Sequence, residues 1–89
     1  MRVHTVKSMQ SPKGNDVPHQ HIVTDNDGVY FVSYGTLIAL KTNEGKIVLS
    51  LDWDYSRTTG RYRNLFLGEP KRVTEAKIKS GEYILVDQL

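Results

Sequence analysis

The sequence predicts an α+β fold: a mainly antiparallel sheet (a meander) of five or six strands, with two short helices on one face. Three observations predict it. Apolar and polar residues alternate with period two, between turn-forming residues, through residue 52. From Ser56 the period changes to that of a helix. Glycines at 68 and 81 then cut the remainder into two short helices and a closing strand.

Residues 2–8 alternate and read as a first strand. Residues 9–18 hold Pro12, Gly14, Asn15, Asp16 and Pro18 and read as the longest loop. A second strand covers 19–25. Asn26-Asp27-Gly28 is a hairpin signal, because Asn, Asp and Gly accept positive φ. Val29 to Thr42 is rich in β-branched and aromatic residues but too long for one strand, so Gly35 is expected to break it in a Tyr34-Gly35-Thr36 bend. Thr42-Asn43-Glu44-Gly45 turns the chain into a strand over 46–52.

Ser56 is the expected N-cap of the first helix. On its wheel Tyr62, Leu65 and Phe66 share the apolar face, and Arg57, Arg61 and Asn64 the opposite one. Gly68 ends it, and Pro70 suits the start of a second helix. There Val73 and Ala76 should face the sheet, with Lys71, Arg72, Glu75 and Lys79 in water; Ile78 falls off that apolar face. After Gly81, residues 82–87 return as a strand. Trp53, at the junction of strand and helix, is expected in the core.

With 89 residues the chain is read as one domain, 1–89, with a small core. It has no cysteine, which removes disulfides, thiol catalysis and thiolate zinc sites. Its apolar runs are too short for a membrane span. Met1 to Val6 alternates like a strand and lacks the apolar run of a signal peptide, so a cytoplasmic protein is expected.

The net charge of +2 conceals a gradient. Residues 1–55 sum to −1, residues 56–80 to +5 and the last nine to −2. Such a basic block can meet phosphate or an acidic protein surface, and it can also be no more than a solvated helix face.

No motif supports catalysis. His19 and His21 are two apart on a strand and, with His4, could hold zinc, but the spacing lacks a ligand signature and they read as surface histidines. Asp52 and Asp54 flank Trp53 and could hold a cation; Glu44 and Glu69 are the next acids, without a motif around either, so Asp54 is better read as an arginine's partner or a helix cap. Ser56, Thr58 and Thr59 lack a phosphate-loop pattern and read as capping residues. No Ser sits in a nucleophile elbow. The expectation is a non-enzyme without metal or cofactor. Arg57, Arg61 and Arg63 with Tyr55 and Tyr62 offer charge and stacking for a single nucleic-acid strand, provided Tyr62 is not in the core.

The runs Ser33-Tyr34-Gly35-Thr36-Leu37-Ile38-Ala39, Trp53-Asp54-Tyr55-Ser56-Arg57-Thr58-Thr59 and Tyr62-Arg63-Asn64-Leu65-Phe66-Leu67 resemble small uncharacterised proteins of bacteriophages and prophages, chiefly of Gram-positive hosts. The similarity covers about residues 29–67, and more loosely the rest of the chain, and the Trp-Asp-Tyr-Ser-x-Thr-Thr string is fairly specific. The resemblance implies a phage setting and transfers no activity, ligand or catalytic residue.

These readings converge on a binding module that engages a protein or a protein–nucleic-acid complex through a basic helical face of Arg57, Arg61, Arg63, Arg72 and Lys79. The alternative is direct binding of DNA or RNA by the same face. A small metal-dependent enzyme using His19, His21, Asp52 or Asp54 ranks third.

Overall fold

The structure, a computed structural model, describes residues 5–89. The described chain runs through strands β1 (Thr5–Gln10), β2 (Asp16–Asp25), β3 (Gly28–Ser33), β4 (Thr36–Thr42) and β5 (Ile47–Ser50), helices α1 (Arg57–Leu67) and α2 (Lys71–Ser80), and strand β6 (Ile84–Val86). Spatial order in the sheet follows chain order, β1-β2-β3-β4-β5-β6. The first four pairings are antiparallel; β6 lies parallel to β5, because the two helices carry the chain back to the end at which β5 began. Residues 2–4 of the expected first strand lie outside the described residues.

The turns form where Asn, Asp and Gly fall. Asp25 pairs with Gly28, and the Asp25 carboxylate accepts the Asp27 N–H at 2.8 Å. Between β3 and β4, Tyr34 (φ 51°) and Gly35 (φ 76°) take the two left-handed positions that match the twist of a tight hairpin. The loop expected over 9–18 is shorter, because β1 and β2 extend into it. Ser11 N–H donates to the Asn15 carbonyl at 2.8 Å and closes the turn. The register slips between Ser8 and Gln10, and opposite this slip Pro18 sits in β2 where no regular ladder requires its missing N–H.

The helices cover one face of the sheet. Phe31 stacks on Phe66 of α1 with ring centroids 5.8 Å apart, and Ser33 Oγ lies 2.8 Å from Thr59 Oγ1. Phe31, Ile38, Ala39, Leu49, Tyr62, Phe66 and Tyr83 form the buried core. Ile38 and Ala39 are neighbours in sequence and both buried, because the β3–β4 register shifts there and makes Ile38 the extra residue of a bulge. Trp53, expected in the core, packs against its margin and stays half-buried.

In α1 the Ser56 Oγ caps the helix by accepting the Thr59 N–H at 3.1 Å, and Gly68 (φ 72°) closes it in the left-handed conformation. Its inward stripe is Thr59, Gly60, Tyr62, Arg63 and Phe66. Leu65, expected inward, lies about 60° round the wheel beyond Tyr62, off the edge of that stripe, and is 53% exposed. In α2 the expected inward pair is also corrected. Thr74 is fully buried and Ile78 packs on the core, while Val73 is half-buried and Ala76 is exposed.

A polar cluster anchors α2 in place of an apolar stripe. Glu69 accepts hydrogen bonds from Thr74 Oγ1 (2.7 Å), Tyr83 Oη (2.8 Å) and Lys77 Nζ (2.9 Å). Burial disfavours its charge, but these three donors outweigh it and hold its pKa below the ordinary 4.5. A carboxylate with a lowered folded-state pKa confers stability that is complete above its unfolded value and is lost as pH falls through the folded value. Urea unfolding should therefore show stability falling on acidification below about pH 4.5. Glu69→Gln should be less stable at neutral pH and flatter across that window; an unchanged acid limb would rule Glu69 out as the titrating anchor.

Among the described residues, no helix is long and apolar enough to cross a membrane.

Candidate interaction surface

Arg63 leaves the face to which its charge assigned it. Its side chain is 1% exposed and occupies the inward stripe of α1. Nη1 donates to the Trp53 carbonyl at 2.8 Å and to Asp54 Oδ1 at 3.2 Å, and Nη2 donates to Asn64 Oδ1 at 2.9 Å. The guanidinium also lies 5.1 Å from the centre of the Trp53 ring. It thus ties the segment before α1 to the helix and is enclosed, out of a partner's reach.

Asp54 completes this arrangement. Its second oxygen accepts from Lys71 Nζ at 2.7 Å, linking the start of α2 to the same segment. Partial burial opposes its ionisation, and the hydrogen bonds from Lys71 and Arg63 overcome that and lower its pKa. Asp54 in turn raises the pKa of Lys71. Lys77 is likewise paired, with Glu69 and, at 3.9 Å, Glu82.

Among the described residues, Arg57, Arg61, Arg72 and Lys79 enter no salt bridge and are exposed. Arg57 and Arg61 stand one turn apart on α1 and line one open hollow of about 700 Å³ with Leu65, Lys71 and Pro12; Asp54 and Arg63 form part of its wall. Arg57 also borders a second hollow of about 430 Å³, with Tyr34, Tyr55, Ser56 and Thr58. Tyr55 is 66% and Tyr34 48% exposed. Arg72 and Lys79 lie on α2 outside both linings.

The stacking surface therefore changes members. Tyr62 is buried, as the core reading of its wheel position requires, and Tyr34 joins Tyr55 beside Arg57. Tyr34 was legible only as a turn residue; the left-handed turn directs its ring out of the sheet, where His19 stacks on it at 5.2 Å. Leu65 was read as core, and its exposure adds an apolar contact to the basic hollow.

Among the described residues, the alternative site residues do not assemble. His4 lies outside the described residues, and His19 is occupied with Tyr34. Asp52 borders a separate hollow with Asp87, whereas Asp54 is held by Arg63 and Lys71. Among the described residues, no three His, Cys, Asp or Glu side chains are grouped so as to hold a metal ion. Ser56 and Thr59 serve the helix cap.

The model of a family of unknown function, DUF8033, matches residues 4–84. No curated protein and no solved structure matches the chain.

Proposed function

The chain belongs to this family of unknown function, and we propose that it is a phage-encoded, non-enzymatic binding module for an acidic surface of a host or phage protein, alone or in complex with nucleic acid. The observation that carries this reading is the mixture on the surface of α1. Two arginines outside any salt bridge, Arg57 and Arg61, stand beside exposed Leu65 and Tyr55. Tyrosine and arginine anchors beside an apolar contact are the side chains that dominate protein interfaces. Arg72 and Lys79 extend the positive field on α2 and act at long range in this reading. The expected compartment is the host cytoplasm, which suits a chain without cysteine.

One observation favours a second reading. Tyr34 and Tyr55 border the same hollow as Arg57, and aromatic faces beside guanidinium groups also bind single-stranded nucleic acid.

Capture of partners from host lysate with and without nuclease, followed by titration of the captured partner, tests both. The Arg57→Glu/Arg61→Glu protein should keep its fold, since exposed charges contribute only about 0–1 kcal/mol. Its affinity should drop at least about 100-fold, as the loss of two interface anchors would produce. Under the first reading the partner survives nuclease, and salt chiefly slows association. Complete loss of partners on nuclease treatment, with affinity falling linearly against salt on logarithmic axes, would replace it by the second. Undiminished affinity of a folded double variant would move the site off α1.

A further inference from the structure

Gly60 stands inside α1 with no structural need to be glycine. Its N–H already donates to the Ser56 carbonyl at 2.8 Å, so it belongs to the helical ladder, and its φ is not left-handed. Packing does not exclude a side chain there either. The nearest atoms to an added methyl group are those of the Arg63 guanidinium, at an ordinary contact distance of 3.5 Å. Alanine is the better helix former, so the fold alone would favour it at this position.

Gly60 borders the hollow of about 700 Å³ that Arg57 and Arg61 line. Helix geometry puts Gly60 and Asn64 in the row beside Arg57 and Arg61, on the side of Arg63. Arg63 holds Asp54, and Asp54 holds Lys71, which makes the far wall of the hollow. The outcome is a trough along α1, with an arginine ridge on one side, a paired ion cluster on the other and Gly60 at the bottom. Four cations and one carboxylate line it, and two of the four already hold that carboxylate. Arg57 and Arg61 are left for an occupant, with exposed Leu65 on the next turn.

We propose that this trough takes a short extended acidic segment of the partner protein, of pattern acid-x-acid-x-apolar, laid along α1 over Gly60. The occupant rests on the reading of α1 as the contact for an acidic protein, and it narrows that reading to one kind of segment. Arg57, Arg61 and Leu65 follow one another at steps of four residues, about 6 Å each along the helix axis. Alternate residues of an extended chain share a face and stand about 6.6 Å apart. Two carboxylates and an apolar side chain at alternate positions therefore meet the two guanidiniums and Leu65 in turn. A methyl group at position 60 would lift the segment off the helix. A nucleic-acid strand fits less well. It gains affinity by neutralising many phosphates, whereas the trough offers two cations outside any salt bridge among the described residues, and an apolar end that phosphate does not use.

Fluorescence anisotropy of the full chain with labelled peptides carrying Glu-Ser-Glu-Ser-Leu, in both chain directions, tests this. One direction should bind with a Kd of about 10–100 μM, as a short flexible ligand does. Exchanging both glutamates of the peptide for glutamine should weaken binding at least about tenfold. Leu65→Ser should cost about fivefold with this peptide and nothing with one that carries serine in place of its leucine. Gly60→Ala should raise the melting temperature and yet weaken the peptide about tenfold, an opposition of signs that a purely structural glycine would not give. Undiminished binding by Gly60→Ala would overturn the proposal, and so would tighter binding of a labelled oligothymidylate than of the peptide. If neither peptide binds below about 1 mM while a captured partner still depends on Arg57 and Arg61, the segment is wrong and the binding face stands. A captured partner indifferent to both arginines would remove the face and the segment together.

Discussion

Replacing Arg63 by alanine is expected to lower the stability by about 2–4 kcal/mol, which in a domain of this size moves the melting temperature down by about 10–25 °C. Arg63 Nη1 and Nη2 together hold the Trp53 carbonyl, Asp54 and Asn64. Removing the guanidinium takes the donor from that carbonyl and the cover from one face of the Trp53 ring. The value is kept below the upper range for a broken buried ion pair because Asp54 is 39% exposed and retains Lys71. Arg63→Lys should recover only part of the loss, since one ammonium cannot reproduce a planar fork across three acceptors. Thermal and urea unfolding of both variants measures the effect. A loss within about 0.5 kcal/mol for the alanine variant would mean the guanidinium contributes no more than a surface charge. The same experiment distinguishes Arg63 from Arg57 and Arg61, whose reversal should alter binding and leave the melting curve in place.

Phe31→Ala should cost about 3–5 kcal/mol. Phe31 is fully buried in β3, flanked by Ile22 and Ala39 on the adjoining strands and stacked on Phe66. Deleting it breaks the principal apolar contact between sheet and α1 and leaves a cavity that rigid strands cannot close. Domains of this length have total stabilities of only about 5–10 kcal/mol, so the variant should be partly unfolded at 37 °C. Phe31→Leu, which retains most of the volume, should lose about half as much or less. Urea denaturation at 25 °C gives both values, and a Phe31→Ala loss below about 1 kcal/mol would contradict the core assigned here.

The elements that were legible in the sequence depend on local chemistry. Tyr34-Gly35 and Gly45 place left-handed residues where the chain reverses, Asn26-Asp27 turns with the Asp25 carboxylate holding the Asp27 N–H, and Ser56, Gly68 and Gly81 bound the helices through their own caps. What was not legible depends on contacts distant in sequence or on polar groups taking apolar places. Thr74 is buried because Glu69 accepts its hydroxyl proton, and no hydropathy pattern marks that position as inward. Leu65 is exposed because Thr59 and Arg63 occupy the inward stripe in its stead. Arg63 reads as a surface charge until the segment before α1 is seen to bring it a carbonyl and a carboxylate. In the candidate site, Arg57, Arg61 and Tyr55 were apparent from charge and composition, whereas Tyr34 lies 21 residues from Tyr55 and joins it only through the fold.

The parallel last strand also bears on how the chain finds this structure. Each pairing from β1 to β5 joins segments that adjoin in sequence, so closing each hairpin restrains only a short stretch of chain. β5 and β6 are different: Val48 meets Ile84, 36 residues on, and both helices must fold between them. That one contact raises the mean contact order of an otherwise local topology, and contact order is what slows two-state folding. The four hairpins need only local chain closure, whereas the three residues of β6 reach the sheet edge only across the crossover that both helices span. The strand that completes the sheet is thus also the one whose attachment rests most on the rest of the fold.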